Sequence, residues 1–190
     1  TWTKLLGTSS FDFSYGVATA SDGSIYITGR TSGDLDGETN AGSNDGFLAK
    51  YSSDGTKVWT KLLGTNKHDY GLGIATASDG SIYITGYTRA DLDGELNAGD
   101  EDGFLTKYSA DGTKVWTKLI GNFHHDFSFG VATSSDGSIY ITGNTIEDLD
   151  GETNSGGRDA FLAKFSSDGT KAWTKLIGSS EEETGIGVAT

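Results

Sequence analysis

Apolar and polar positions alternate with a period of two through short segments that end at Asp-Gly pairs, the pattern of half-buried β-strands joined by tight turns. In Ser24–Gly29 (SIYITG), Ile25 and Ile27 share one face and Tyr26 takes the other. The first full unit predicts four strands. Gly16–Ala20 (GVATA) is a strand of small residues, Ser21-Asp22-Gly23 is the turn of a hairpin, and Ser24–Gly29 is the second strand. A long loop follows, then a third strand over Phe47–Ser52, a turn at Asp54-Gly55, and a fourth strand over Lys57–Leu63 that carries Trp59. No segment shows the 3.6-residue period of an amphipathic helix.

The same pattern returns at a fixed step. WTKL(L/I)G begins at Trp2, Trp59, Trp116 and Trp173, SDGSIYITG at Ser21, Ser78 and Ser135, and FL(A/T)K(Y/F)S at Phe47, Phe104 and Phe161, each 57 residues after the last. A period of this length marks a repeat architecture. A lone four-stranded sheet with two apolar faces must bury both against neighbours, which predicts an all-β fold of β-propeller blades; a solenoid of stacked sheets is the competing architecture. Gly16, Ala18 and Ala20 suit the crowded axis. Lys4, Lys61, Lys118 and Lys175 suit the rim, where they discourage edge-to-edge pairing. The predicted division is an outer strand and linker over 1–14, blades over 15–64, 72–121 and 129–178, and the first strand of a following blade over 185–190. About three and a third blades do not close a ring, so either a larger propeller or association of copies is expected to cover the ends.

These residues resemble a known family. YGVATASDGSIYITG, an Asp/Gly/Asn loop and DGFLAKYSSDGTKVWTKLLG are similar to the SBBP repeats of bacterial seven-bladed β-propellers, common in cyanobacterial exported proteins. The resemblance covers essentially the whole chain. It implies an extracellular or cell-surface propeller, often one module of a longer polypeptide, and it implies little about activity because one fold serves many functions.

Composition narrows the partners. With 14 Lys and Arg against 27 Asp and Glu, the chain carries a formal charge of −13, which disfavours nucleic acid and favours cations. No apolar run approaches the ~18–20 residues that span a bilayer. The chain has 29 glycines, no proline and 34% hydrophobic residues, so glycine serves as turn punctuation in a folded chain. Cysteine is absent, which removes disulfides, thiolate metal sites and Cys nucleophiles. A secreted location suits this composition.

Candidate chemistry concentrates in the loop between the second and third strands. In DLDGETNAGSND, oxygen-bearing side chains recur at Asp34, Asp36, Glu38, Asn40 and Asp45. The later copies supply Asp91, Asp93, Glu95, Asn97 and Asp102, then Asp148, Asp150, Glu152, Asn154 and Asp159. Alternating oxygens closed by a distal carboxylate resemble an EF-hand loop and predict calcium, about one ion per full blade, although the glycine position and the strand flanks differ from that motif. Three carboxylates within five residues repel one another unless a cation joins them. The alternative is a polar loop populated by turn-forming residues.

The connection into the next blade lies on the same face and carries Asp12, Asp69 and Asp126, with Glu183 in the fourth copy. These acids are expected to cap backbone amides in a turn; completing a calcium shell is the alternative. Loops of this face vary between copies: Arg30-Thr31-Ser32-Gly33 becomes Tyr87-Thr88-Arg89-Ala90 and then Asn144-Thr145-Ile146-Glu147. His68, His124 and His125 lie in these variable connections without a nucleophile motif, and acid pairs repeat identically in every blade, so no catalytic centre is expected. Phe11 and Phe13 are matched to His68 and Tyr70 and then, with an offset, to His124 and Phe127, which predicts no regular aromatic platform. The expected role is a non-catalytic, calcium-stabilised structural or self-associating surface protein. The alternative is recognition of glycan or protein through the loop face.

Overall fold

The computed structural model describes residues 1–190 and contains twelve strands and no helix. The first blade comprises β1 (Asp12–Thr19), β2 (Ile25–Thr31), β3 (Asp45–Tyr51) and β4 (Lys57–Leu63). The second comprises β5 (Asp69–Thr76), β6 (Ile82–Thr88), β7 (Asp102–Tyr108) and β8 (Lys114–Ile120). The third comprises β9 (Asp126–Thr133), β10 (Ile139–Thr145), β11 (Asp159–Phe165) and β12 (Lys171–Ile177). Each blade is an antiparallel sheet in chain order, and the three sheets do not close a ring.

First strands pack side by side, β1 against β5 and β5 against β9, so they occupy the axis as their small residues require. A register shift at Tyr15, and its counterpart in β5, lets the inner strand bend where blades converge. The core lies between sheets. Tyr26, Leu48 and Leu63 of the first blade pack with Ile82, Ile84, Leu92, Phe104 and Tyr108 of the second. Tyr83, Leu105 and Ile120 of the second pack in the same way with the third.

One interface is used at every junction. Trp59 lies on Gly112 and Trp116 on Gly169, each a turn glycine of the following blade with φ near +87° or +88°, where a side chain would meet both strain and the indole. Around the axis, Thr76 Oγ1 donates to Thr19 O at 2.9 Å, Thr133 Oγ1 to Thr76 O at 2.9 Å, and Thr190 Oγ1 to Thr133 O at 2.7 Å. Lys50 Nζ reaches Ala110 O at 3.2 Å and Lys107 Nζ reaches Ser167 O at 3.1 Å.

Strand limits differ from the sequence expectation at the loop face. β1 begins at Asp12 rather than Gly16, β2 continues to Thr31, and β3 begins at Asp45, so Asp45 opens a strand instead of closing a loop. Trp2–Leu6 and Gly185–Thr190 take the predicted places but form no ladder, because no strand of the chain lies beside them to complete one. Trp2 still packs on Gly55, and Gly185 N donates to Gly143 O at 3.1 Å.

Candidate functional site: two sets of acids on one face

The acidic loop is built around a two-residue hairpin. Leu35 and Glu38 exchange backbone hydrogen bonds at 3.0 Å in both directions. Asp36 and Gly37 between them have φ of 55° and 87°, the left-handed pair of a type I′ turn. Leu35 is buried beneath the loop, as are Leu92 and Leu149 in the later copies. Asn40 N donates to Asp34 Oδ1 at 2.9 Å, and Asn40 Nδ2 donates to Thr31 O at 3.1 Å. The loop is therefore held from within, by a buried leucine and by its own amides.

Lysines of the outer strand meet the loop acids. Asp36 pairs with Lys57 and accepts from Thr60 Oγ1 at 2.6 Å, and Glu38 pairs with Lys61 at 2.9 Å. Burial pushes the Asp36 carboxyl up, but Lys57 and Thr60 outweigh it and hold the group below its ordinary value. The arrangement repeats as Asp93 with Lys114 and Thr117, Glu95 with Lys118, Asp150 with Lys171 and Thr174, and Glu152 with Lys175. Nowhere do three or more His, Asp or Glu side chains converge as a metal-binding group. The repulsion expected among Asp34, Asp36 and Glu38 is relieved by lysines that arrive from β4, a strand about twenty residues away. Lys61, Lys118 and Lys175 thus do more at the rim than guard an edge.

Asp45 separates from its loop neighbours. It is buried, its Oδ2 accepts from Ala41 N at 2.9 Å, and its Oδ1 has no hydrogen-bond partner. Its carboxylate lies flat on Gly64, where a Cβ would overlap it; Asp102 lies likewise on Gly121 and Asp159 on Gly178. Asp69, also buried, caps the next residue of the same connection, its Oδ2 accepting from Thr65 N at 2.6 Å and from Thr65 Oγ1 at 2.9 Å. Asp126 caps Asn122 N at 2.8 Å, and Glu183 caps Ser179 N at 2.8 Å. The capping expected of Asp12, Asp69, Asp126 and Glu183 is present, with Asp12 on Thr8 N at 2.6 Å. What the loop motif concealed is that each crossover is clamped between two acids, one from β3 and one from the next first strand.

Electrostatics distinguish the two sets. No Lys, Arg or His pairs with Asp45, Asp69, Asp102, Asp126 or Asp159. Burial raises the Asp45 carboxyl, and the neighbouring Asp69 charge adds to the shift. Burial likewise raises Asp102 to about 6, with Asp126 adding to it. Asp69 and Asp126 are also raised by burial, against the opposing pull of nearby hydroxyls and amides.

Variable side chains fill the junctions above these acids. Asn44 contacts His68 Nδ1 at 2.6 Å; the equivalent Glu101 pairs with His125 and with Arg89 at 2.5 Å. His68 and His125 thus join neighbouring blades, while His124 meets Glu147 of the blade it leads into at 3.0 Å. The aromatic residues are regular, contrary to the sequence expectation: Phe13, Tyr70 and Phe127 occupy one register position, with His68 and His125 two residues earlier. At the 57-residue step His124 belongs with Lys67, so the row has no offset. Arg30 lies 4.6 Å from the rings of both Phe13 and Tyr70, and Tyr70 stacks on Tyr87 at 4.6 Å. Below them an apolar groove of about 480 Å³ runs along the axis, lined by Tyr15, Val17, Leu72, Ile74, Phe129 and Val131 among others.

Comparison with known proteins agrees with this architecture. A family model described as a beta-propeller repeat matches residues 1–36, 58–93 and 115–150. The chain belongs to the SBBP beta-propeller repeat family. Each match spans an outer strand, the crossover and the next two strands, so the family motif is the blade junction together with the hairpin. Among curated proteins, the regulatory protein FlaEY of Caulobacter vibrioides is 33% identical over 187 residues, covering 87% of this chain and 20% of its own length. An uncharacterized WD repeat-containing protein of Acanthamoeba polyphaga mimivirus is 23% identical over 115 residues, covering 49% of this chain and 8% of its own length. The chain therefore spans about a fifth or less of these relatives.

Proposed function

We propose that the chain is a non-catalytic structural array of propeller blades, working at a cell surface or outside the cell, that docks end to end with further blades, whether copies of itself or parts of a longer polypeptide. The observation that carries this reading is the single interface used at every junction. Its two halves stand open on the outer blades: Ile177 is 61% exposed, whereas its equivalents Leu63 and Ile120 are 1% and 2% exposed. Apolar surface of this kind associates by burial, at about 25 cal/mol per Å² removed from water, and a head-to-tail interface propagates unless rotation closes a ring. The relative FlaEY carries its similar segment within a much longer chain, in keeping with a modular role. The surface location rests on the family resemblance and on composition, an acidic chain without cysteine.

Light scattering and sedimentation velocity across a concentration series test the docking. Association that grows with concentration and is lost in Ile177→Lys is expected, and a monomer at millimolar concentration would sink docking between copies. The regular row of Phe13, Tyr70 and Phe127 favours one second reading, recognition of a glycan or protein by the loop face. Glycan-array binding abolished by Tyr70→Ala would place that reading first.

A further inference from the structure

The crossovers hold a feature that neither docking nor recognition uses. At each one, two acids close on the same dipeptide: Asp45 against Gly64 and Asp69 on Thr65 N in the first, Asp102 against Gly121 and Asp126 on Asn122 N in the second. All four are at most 1% exposed. In each, one oxygen is held by a backbone amide; the Oδ1 of Asp45 and Asp102 meets no donor, and Asp69 and Asp126 have beside them only a threonine hydroxyl of the ladder, Thr88 or Thr145. Thr88, beside Asp69 and Asp102 in the ladder, turns its hydroxyl to Ala90 O at 2.9 Å. A buried carboxylate without a counter-charge is strongly unfavourable, and two together more so.

The histidines act on Asp69 and Asp126 only from a distance and pair with neither, since His125 is engaged by Glu101 and His68 by Asn44. The lysines do not supply that charge, since Lys57, Lys61, Lys114 and Lys118 are engaged by the loop acids. Hard oxygen donors without nitrogen or sulfur select an oxygen-seeking cation.

We propose that each acid pair, Asp45 with Asp69 and Asp102 with Asp126, is a binding site for a calcium ion that bolts one blade to the next across the crossover, with backbone carbonyls and water completing the shell. The third crossover lacks the second half of this site: Asp159 keeps an open Oδ1, but both oxygens of Glu183 are taken by Ser179, at 2.8 Å from its N and 2.6 Å from its Oγ. This moves the calcium expected of the loops to the first two crossovers, so that Asp45 and Asp102 remain ligands while Asp34, Asp36, Glu38 and Asn40 and their copies serve the loop itself. It deepens the scaffold reading without depending on it, because metal binding and end-to-end docking are measured separately.

The test is isothermal titration of the EDTA-treated 190-residue chain with calcium chloride, together with thermal melts in calcium and in EDTA. Binding in the ~10⁻⁴–10⁻³ M range of extracellular modules is expected, with a higher Tm in calcium. The double variant Asp102→Asn/Asp126→Asn should lose one ion, and the loop variant Asp93→Asn should lose none. Wild-type protein that takes up no calcium at millimolar concentration overturns the proposal without recourse to any variant. Ions lost from Asp93→Asn but kept by Asp102→Asn/Asp126→Asn would overturn it in favour of the loops. Failure of docking with calcium binding intact would count against the scaffold reading alone.

Discussion

Glu38 and Asp45 belong to one acidic loop in sequence, yet Glu38 meets Lys61 at 2.9 Å on the rim while Asp45 lies buried at a crossover with one oxygen facing no donor. The rim acids are half-solvated and already neutralised; the crossover acids are neither. Acid spacing alone therefore does not separate acids that already meet a base from acids that do not. That difference is set by what each carboxylate loses in solvation and by whether a basic side chain reaches it.

Four experiments sharpen or break this contrast. Removing the loop's own anchor should have the largest effect. Leu92 is 1% exposed, so Leu92→Ala should cost about 2–5 kcal/mol in urea unfolding. A loss close to zero would mean that the loop is held by something other than its buried leucine. Next, Gly121→Ala forces a Cβ into the Asp102 carboxylate and should destabilise by about 1–3 kcal/mol, as overpacking does. An unchanged midpoint would show that the clamp has room to relax.

Acidity separates the two sets by sign. The Asp102 carboxyl is raised from 3.8 to about 6 in the fold, so its contribution to stability is fully present below pH 3.8 and is lost as pH rises through 6. Metal-free protein should consequently gain stability on acidification from pH 7 to 4, by up to about 3 kcal/mol from this group. In the same EDTA-treated state, Asp102→Asn should flatten that dependence. The turn acids Asp54, Asp111 and Asp168, held at about 2 by their serine and threonine donors, act in the opposite sense, with a loss that begins at about pH 5 and falls mostly below 3.8. Denaturant midpoints measured between pH 4 and 7 that fall on acidification would contradict the assignment of buried, unpaired acids. The smallest effect belongs to the rim: Lys118→Ala should cost roughly 0.2–1 kcal/mol and the loss should shrink in high salt, because the pair with Glu95 is part-exposed.

Much of the molecule was legible before any coordinates. The 57-residue step, the Asp-Gly turns and the period-two alternation fixed three blades of four antiparallel strands, and the small residues of the first strand placed it at the axis. The capping role of Asp12, Asp69 and Asp126 followed from turn chemistry. What local reading missed was pairing across strands. Lys57 and Lys61 recur at the same step as Asp36 and Glu38, and that shared period was the available signal for the ion pairs. The row of Phe13, Tyr70 and Phe127 was equally present in the 57-residue register, in which His125, not His124, follows His68.

Sequence alone thus determined the repeat, its strands, its turns and the face on which the acids gather, because each depends on residues close together in the chain. Tertiary structure alone decided which acids meet a lysine and which are sealed against a crossover glycine. Desolvation and charge pairing depend on groups that the fold brings together from different strands and different blades, and no spacing within one loop records them.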